Sequence, residues 1–479
     1  MIGPPDVNIK DAVLSFDINR ILNIFTNTNT FYRTTTTPLR FIVFIISIIF
    51  FILMIFNRKQ ETNIPKFIIL IIPPAIYLFL ATILITDDIY NYIAIFIILT
   101  SFYFSIFYSK NNLSLKEILI ILSYLGIFLI AFYSSLLHAT TTISEVDNYV
   151  RFLLVIPVYL TLREIELSSN DFFNVINITS IFIGLFSIYC ILILGETRVR
   201  GFTSSAIIFG NISLLFSLFS FLTISYYLNN NKNIFFPIIA FILSFFAWGS
   251  TGTRGSIIFI IIFLILLITK PFKETLKLPH NSIKLLLILI ASLIFMYSPI
   301  LTRYNNSYNS IYNYITEGSE YHWRHSDSIV PRINIWKGSI ILIKKNIAKG
   351  IGLNNFNKSL AEEIKLKNIQ AMRTFSNNPT AGMNHAHNQY LDIFVKTGIF
   401  GFFALMFFII MHLYFFYDRH KLSKDDDIKL LSLFGIVSMF GYISYMFTHS
   451  ILSHQLSTLF MTLLLIILSG MITNKLRNN

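Results

Sequence analysis

Apolar runs of about twenty residues recur along most of this chain, and they limit the folds open to it. A helix of roughly 20 apolar residues crosses the hydrocarbon core of a bilayer, where the backbone must satisfy its own hydrogen bonds. Thirteen candidate spans lie at about 41–57, 66–86, 90–108, 117–137, 149–164, 172–195, 205–228, 233–250, 253–269, 283–301, 389–417, 427–449 and 454–473. The sequence therefore predicts an all-α polytopic membrane protein with about 12–13 transmembrane helices.

Composition agrees with this class and excludes others. Only 13% of the 479 residues are charged and 54% are hydrophobic, whereas soluble domains carry roughly 25% charged residues. The single cysteine, Cys190, excludes an intramolecular disulfide framework. The first apolar run begins only near Phe41, so no secretory signal peptide is expected. The net charge of +13 indicates anionic partners, lipid headgroups or phosphates; no nucleic-acid partner is expected.

Hydropathy divides the chain into four segments. A polar N-terminal segment (1–40) precedes an N-terminal transmembrane bundle (41–301), a long hydrophilic region (302–386) and the C-terminal transmembrane helices (387–479). The hydrophilic region is expected to be partly helical, with an amphipathic helix from Ile333 to Ile343 lying on the membrane surface. Tyr304, Tyr308 and Tyr312 recur there every fourth residue, which suits either an interfacial aromatic face or a stacking surface for sugars.

Short basic loops predict the orientation of the spans. Three such loops, near 58–66, 270–284 and 419–429, lie on one side by parity, and short loops rich in lysine and arginine stay in the cytoplasm. The hydrophilic region is then periplasmic. Arg198, Arg254 and His387 are separated from one another by even numbers of crossings, so we expect all three at the periplasmic face.

Polar residues are crowded at the start of the long apolar helix expected from about residue 390. His385, His387 and Asn388 precede it. On their own, these histidines suit helix capping as well as chemistry, and arginines just inside a span suit snorkelling towards headgroups. An arginine at a helix centre costs roughly 2.5–3.5 kcal/mol, so Arg254, which opens a span, needs a compensating role. The expected convergence of Arg198 and Arg254 with the histidines favours chemistry.

A set of short motifs between about 195 and 405 carries a family resemblance. The motifs are Arg198-Val199-Arg200-Gly201-Phe202, Thr253-Arg254-Gly255-Ser256, Pro331-Arg332-Ile333-Asn334-Ile335-Trp336 followed by Gly350-Ile351-Gly352, and His387-Asn388 followed after nine residues by Gly398-x-x-Gly401. In their order and spacing they resemble the O-antigen ligase and O-antigen polymerase family, which are integral membrane glycosyltransferases of the bacterial envelope. Each motif alone is weak, and the combination is specific.

The resemblance implies a chemistry that suits these residue types. The donor would be a glycan on undecaprenyl diphosphate and the acceptor a sugar hydroxyl of the lipid A–core oligosaccharide, with inverting, metal-independent transfer. Arginine remains charged and binds two phosphate oxygens at once, so Arg198 and Arg254 would stabilise the leaving diphosphate. His387, with an ordinary pKa of about 6.5, would act as general base.

The same resemblance assigns substrate binding to four further residues and predicts where the protein acts. Arg200, Arg332, His385 and Asn388 would contact substrate, with Asn388 or His385 orienting the ring of His387. The fold would be similar to the GT-C membrane glycosyltransferases, in the bacterial inner (cytoplasmic) membrane, with the active site facing the periplasm. No metal or other cofactor is expected, because the periplasmic motifs lack paired carboxylates. Membrane lipids are the remaining expected partners.

Alternative functions remain open from the sequence. A polymerase would join repeat units that are both lipid-linked, and a protein-directed oligosaccharyltransferase belongs to the same superfamily. The run Arg303-Tyr304-Asn305 before a long basic region is closer to ligases. A flippase or transporter of lipid-linked sugars is a hypothesis from another class. It would require polar residues near mid-span, often in paired repeats, whereas here they lie at one end of the spans.

Overall fold

The computed structural model describes residues 66–108, 112–138, 143–276, 298–317, 329–369 and 383–478, all within one compact unit that comprises 57–479. Within these ranges the chain is helical and contains no β-strand. The helices are α1 (Lys66–Thr82), α2 (Ile89–Phe107), α3 (Leu115–Leu137), α4 (Ile143–Leu154), α5 (Ile156–Leu162), α6 (Ser169–Leu192), α7 (Ala206–Asn229), α8 (Phe235–Ser250), α9 (Ile257–Leu267), α10 (Lys270–Leu276), α11 (Ser298–Glu317), α12 (Ile329–Lys345), α13 (Phe356–Lys365), α14 (Gln389–Leu422), α15 (Asp426–Thr448) and α16 (Gln455–Asn478).

The all-α polytopic architecture predicted from the apolar runs is confirmed. Seven of the described helices are long and apolar enough to cross a membrane, namely α2, α3, α6, α7, α14, α15 and α16, and three shorter apolar helices lie in α1, α8 and α9. Their ends agree with the expected spans to within a few residues at most positions. The expected span at 41–57 and most of that at 283–301 lie outside the described residues, so the total of 12–13 stays a prediction.

Three helices form the centre of the bundle. The most apolar stretch of α16 is buried over 100% of its residues, that of α7 over 89% and that of α15 over 83%, against 39–44% for α2, α3, α6 and α14. The peripheral helices present large apolar side chains outward, including Leu70, Leu129 and Leu192. A helix that is apolar on all sides is suited to such a central position.

Small polar residues join the buried helices to one another. The Ser220 hydroxyl of α7 donates to the Ser180 hydroxyl of α6 at 2.8 Å, and the Asn177 amide of α6 donates to the Thr223 hydroxyl at 3.0 Å. Such side chains allow close helix approach in lipid and supply hydrogen bonds between helices. They fix the register of α7 against α6.

One predicted span is divided in two. Residues 149–164 were expected to form a single transmembrane helix, whereas the structure contains α4 and α5 with a break at Val155. Pro157 lies in the first turn of α5, where its missing N–H has no intrahelical partner to lose, so it ends one helix and begins the next. All residues of α5 are buried. This segment is an internal part of the bundle.

The last three helices define two ends of the bundle. Only residues 423–425 separate α14 from α15, so the two helices are antiparallel. The start of α14, the end of α15 and the start of α16 therefore lie at one end, which we call the histidine end. The 34-residue α14 consists of two helical segments, because the backbone of Gly398 is not helical.

The opposite end, which we call the ion-pair end, is joined by charged contacts between helix termini. Arg163 lies 3.2 Å from Glu117 at the start of α3, and both side chains are buried. The Glu117 backbone N–H and Ser114 form a capping box there, in which the Ser114 N–H donates to the Glu117 carboxylate at 2.7 Å. Lys116 pairs with Asp418 of α14 at 2.6 Å, so that α3 and α14 are held together at this end.

The hydrophilic region is partly helical, as expected, and contains α12, α13 and most of α11. A small apolar core joins it to the first turns of α14. Ile335 and Leu342 of α12, Phe356 and Leu360 of α13, and Val395 of α14 belong to this core. The amphipathic helix expected at 333–343 is thus the middle of α12; its predicted position on the membrane surface stays a prediction.

Candidate functional site

A short loop at the histidine end, residues 383–388, carries His385 and His387. We call it the histidine loop, and its backbone is fixed from two sides. The Ala386 N–H donates to the Asp392 carboxylate at 2.8 Å, and the Trp336 ring N–H donates to the Ala386 carbonyl at 3.0 Å. Asp392 is fully buried and pairs with Lys396 at 2.9 Å. The residue between the two histidines is therefore held rigidly, and the rings on either side of it are pre-positioned.

His387 itself adopts a backbone conformation that side chains rarely tolerate. Its φ of 50° lies in the left-handed region, where histidine occurs more often than most non-glycine residues. Such strained residues cluster at functional sites and cost about 1–3 kcal/mol each. The contacts of Ala386 on one side and of Asn388 on the other compensate for this cost.

Asn388 caps the helix that follows. Its side-chain oxygen accepts from the Leu391 N–H at 3.1 Å, and its amide nitrogen donates to the Phe447 carbonyl at the end of α15 at 3.2 Å. Both ends of the side chain are thus engaged within the protein, and neither of these two bonds is to His387. The expected substrate contact of Asn388 stays a prediction, and the structural contribution of this residue is to join α14 to α15.

Four imidazole rings gather at this end. The ring centroids of His385 and His387 are 4.3 Å apart. His449, which follows α15, and His454, which precedes α16, stack on each other at 4.5 Å and approach His385 to 5.9 Å and 5.4 Å. We call these four residues the histidine cluster. His449 and His454 were not predicted from the sequence, although the short connector that carries them lies an even number of membrane crossings from His387.

The histidines of the cluster are neutral at physiological pH. Burial lowers the pKa of His385 to about 3, and the neighbouring His454, Lys396 and Arg332 act in the same direction. Burial likewise lowers the pKa of His387 to about 3; the cationic neighbours reinforce the shift and Asp392 opposes it. The pKa of His449 also lies well below its ordinary value because the ring is buried. Each neutral imidazole offers one N–H donor and one acceptor nitrogen.

Arg332 acts on three histidines of the cluster through its positive charge. It precedes Trp336 by one turn of α12, so the two residues share a face, and Trp336 bonds directly to the histidine loop. Its charge lowers the pKa of His385, His387 and His449. The Arg-x-x-x-Trp motif therefore acts as a unit in which the tryptophan anchors and the arginine supplies charge.

The glycine motifs are required for close backbone approach. In the Gly350-Ile351-Gly352 segment, the Ile351 N–H donates to the Val395 carbonyl at 2.8 Å and the Gly352 N–H to the Lys396 carbonyl at 3.0 Å. Gly398 has a φ of 73° and interrupts α14. A β-carbon on Gly350 would lie 2.6 Å from the Gly398 nitrogen. These glycines attach the hydrophilic region to α14 just beyond the histidine loop.

The two arginine motifs of the N-terminal bundle meet in neighbouring loops. The Arg198 guanidinium donates through Nε to the Thr251 carbonyl at 2.8 Å, which lies three residues before Arg254. A β-carbon on Gly255 would lie 2.5 Å from the Thr448 hydroxyl, the residue before His449. The Arg198 and Arg254 loops thus adjoin each other and the end of α15. Arg200 is exposed, and its backbone N–H donates to Glu196 at 3.1 Å.

The described residues contain no group of three or more histidine, cysteine, aspartate or glutamate side chains arranged to hold a metal ion. What they do present at the histidine end is a set of neutral imidazoles flanked by arginines. Such a set can accept a proton and can bind an anion through N–H groups and guanidinium charge.

The helices and the site together define a multi-pass membrane protein whose polar groups gather at one end of an apolar bundle. Residues 239–406 match the family model described as O-Antigen ligase, a segment that includes Arg254, Arg332, His385 and His387. Over this segment the chain is similar to the O-antigen ligase family, whose members are glycosyltransferase-like membrane enzymes.

A similar protein of Haemophilus influenzae extends the likeness beyond that segment. It is described as "Uncharacterized protein" and is 26% identical over 396 residues, which cover 80% of this chain and 94% of its own length. This similarity covers most of the chain and carries no functional assignment of its own. Arg198, His449 and His454 lie outside the residues matched by the family model.

Proposed function

We propose that this protein is an O-antigen ligase, which transfers a glycan from undecaprenyl diphosphate to a sugar hydroxyl of the lipid A–core oligosaccharide. The observation that carries the proposal is the convergence at one end of the bundle. The histidine loop, the Arg332 helix and the adjoining Arg198 and Arg254 loops come from separate parts of the sequence. Together they supply the cations and the base that transfer from a lipid diphosphate requires.

In the proposed reaction, the acceptor hydroxyl oxygen attacks the anomeric carbon of the donor sugar. The bond between that carbon and the diphosphate oxygen breaks, and the diphosphate leaves with the electron pair. His387 takes the hydroxyl proton on a ring nitrogen, a role typically worth 10²–10⁴-fold in rate. Arg198, Arg254 and Arg332 stabilise the charge that develops on the leaving group. The family resemblance adds inversion of the anomeric centre and independence of a metal ion.

The low pKa of His387 fits this role once the donor is present. An anion beside an imidazole favours its protonated form and raises its pKa. A bound diphosphate therefore counteracts the burial and the neighbouring cations that lower the pKa of His387. His387 remains unprotonated before binding and becomes a stronger base in the complex.

The site is proposed to face the periplasm from the inner membrane. The ion-pair end of α14 and α15 carries the basic segment near 419–429, and short basic loops stay in the cytoplasm. Single cysteines introduced at Lys273 and Asn384 of a Cys190-free protein test this orientation in intact cells. We expect an impermeant thiol reagent to label position 384 and to label position 273 only after the inner membrane is permeabilised. The reverse pattern would contradict the orientation.

The transfer itself is tested with purified protein, a glycan on undecaprenyl diphosphate and a lipid A–core acceptor. We expect glycan-capped lipid A–core that forms equally in excess chelator. Loss of activity in chelator, restored by magnesium or manganese, would contradict the metal-independent mechanism. Deletion of the gene followed by lipopolysaccharide gel analysis distinguishes the related activity. Loss of all glycan-capped lipid A supports the ligase, whereas a core that bears a single repeat unit identifies a polymerase.

A further inference from the structure

The connector between α15 and α16 contains buried polar atoms that no described residue satisfies. His449 is only 3% exposed, and within the described chain neither of its ring nitrogens has a hydrogen-bond partner. The same holds for other atoms around it. These are Nδ1 of His385 and His387, Nε2 of His454, Nε2 of Gln389 and Oγ of Ser450. Burying such a group without a partner costs about 1–3 kcal/mol.

The unsatisfied atoms lie close together because the elements that carry them are in contact. The four rings of the histidine cluster touch. The Gln389 side-chain oxygen accepts from the Leu452 N–H in the connector at 2.8 Å, which leaves its amide nitrogen beside the same elements. The Ser453 hydroxyl donates to Asp392 at 3.3 Å. The connector is therefore fixed against the histidine loop, and its polar atoms are held in position for a ligand.

Several of the unsatisfied groups are donors. His449, both of whose ring nitrogens lack a partner among the described residues, carries one N–H, the Gln389 amide nitrogen carries two, and Ser450 adds a hydroxyl. The charged residues that face the cluster are Arg332 and Lys396, which are cationic, and Asp392, which is paired with Lys396 at 2.9 Å. The balance of charge is positive. A buried site with several donors and a net positive charge is complementary to a phosphate oxyanion.

We propose that His449 and His454 complete a four-imidazole pocket that binds a phosphate oxyanion, and that its occupant is the diphosphate of the lipid-linked donor. The identity of the occupant rests on the proposed function. His385 and His387 form the side of the pocket on the histidine loop, and the connector forms the other side. Arriving diphosphate is bound through imidazole N–H groups, and the protons that it draws onto His449 and His454 strengthen the contact.

The test compares the affinity of two conservative variants with that of the native protein. His449→Gln and His454→Gln retain a donor and an acceptor but cannot become cationic. His412→Gln is the matched control, since His412 is also fully buried but lies within α14, where its Nδ1 is 2.8 Å from the Phe408 carbonyl. We expect affinity for undecaprenyl diphosphate in detergent micelles to fall about 10-fold or more in each cluster variant and to stay unchanged in the control.

Competition identifies the source of the phosphate. Inorganic pyrophosphate should displace undecaprenyl diphosphate, whereas undecaprenol should not, because the pocket recognises the oxyanion. Unchanged lipid diphosphate affinity in both cluster variants would overturn the proposal. Weaker pyrophosphate binding with unchanged lipid diphosphate binding would assign the pocket to free phosphate and would overturn the proposed occupant.

A measurement on the native protein covers the case in which a variant fails to fold. Diethyl pyrocarbonate acylates unprotonated imidazoles, and mass spectrometry locates the adducts. We expect bound undecaprenyl diphosphate to slow acylation of His449 and His454 without changing that of His420 at the ion-pair end. Equal acylation with and without the lipid would overturn the pocket. Lipid-dependent protection in a protein that transfers no glycan would support the pocket and contradict the proposed function.

Discussion

The two ends of the helix bundle bury different kinds of polar group. At the ion-pair end, charges lie opposite charges: Arg163 against Glu117, Lys475 against Asp427 at 3.1 Å and Lys116 against Asp418. At the histidine end, uncharged imidazoles lie against one another with buried nitrogens that no described residue satisfies. The first arrangement holds helix termini together, and we propose that the second binds a ligand.

The difference shows why a buried polar group is informative only together with its partner. Asp392 and Lys396 are as deeply buried as the histidines, yet they satisfy each other and anchor the loop. Arg163 is completely buried, and although its Nε and Nη1 have no hydrogen-bond partner among the described residues, its ion pair with Glu117 gives it a structural explanation. Neither ring nitrogen of His449 has a partner among the described residues, and three further imidazoles lie beside it, which makes the histidine end the candidate site.

The largest expected effect separates the ends by activity. His387→Gln removes the base from the histidine end and should lower transfer by about 10²–10⁴-fold while the protein remains folded and monodisperse. His420→Gln is the control at the ion-pair end, where His420 bonds to Thr275 at 2.7 Å; its transfer rate should stay within about twofold. Single-turnover transfer with saturating donor measures both. Full activity in His387→Gln would remove its catalytic role.

The second expected effect separates the ends by stability. Arg163→Met leaves Glu117 buried without its ion pair, and breaking one half of a buried pair costs about 3–5 kcal/mol. The free energy of unfolding in mixed micelles should fall accordingly. Lys270→Met breaks the exposed pair with Glu274 and should change stability by less than about 1 kcal/mol. Equal stability of the two variants would mean that the ion-pair end is held by apolar packing alone.

A smaller effect is expected for the arginine beside the end of α15. Arg254→Ala should weaken binding of undecaprenyl diphosphate by about 10–100-fold, since a hydrogen bond to a charged group contributes about 1.5–3 kcal/mol. Arg254→Lys should recover only part of this, because a point charge cannot bind two phosphate oxygens as a guanidinium does. Lys421→Ala, at the ion-pair end, is the control. Unchanged donor affinity in Arg254→Ala would exclude a role for this residue in holding the diphosphate.

The last expected effect concerns pH. Burial lowers the pKa of His385 and His387 to about 3, whereas an unfolded histidine titrates near 6.5. Between these values the unfolded chain binds more protons, so the free energy of unfolding decreases as pH falls below about 6.5. At pH 5 the decrease is about 2 kcal/mol for each such histidine.

Denaturant unfolding at pH 7 and pH 5 measures this decrease. His385→Gln should flatten the pH dependence, and the control His420→Gln should flatten it less because Glu274 and the Pro271 carbonyl oppose the lowering of the His420 pKa by burial. A native protein whose stability does not change over this range would show that the cluster is charged or hydrated when folded.

The apolar runs predicted most of the helices because membrane spans are governed by length and hydropathy alone. The expected 117–137 and 205–228 are α3 and α7 to within two residues. The expected 149–164 failed since a proline in an apolar run is compatible both with a kinked span and with two short helices. Only packing against α16 and α2 decides between them. Tertiary contacts of this kind leave no local signal in one sequence.

Only those residues of the candidate site that belong to sequence motifs could be predicted. His385, His387 and Arg332 were identified from their motifs, and the structure brings them together. His449 and His454 could not be predicted because neither lies in a recognised motif, and a histidine beside a helix end does not by itself indicate a site. The roles of Gly350 and Gly398 were also invisible, because their close approach joins positions far apart in the sequence.

Substitutions at position 387 are limited by two separate requirements, the left-handed backbone and the proposed chemistry. Among non-glycine residues, asparagine and aspartate enter this region most readily, and β-branched residues are excluded. A saturation library at position 387, sorted first for folded protein, should therefore retain glycine, asparagine and aspartate with histidine. Sorted again for glycan transfer, the same library should retain histidine alone. The residues that permit folding but not glycan transfer would show which constraint comes from the chemistry and not from the turn.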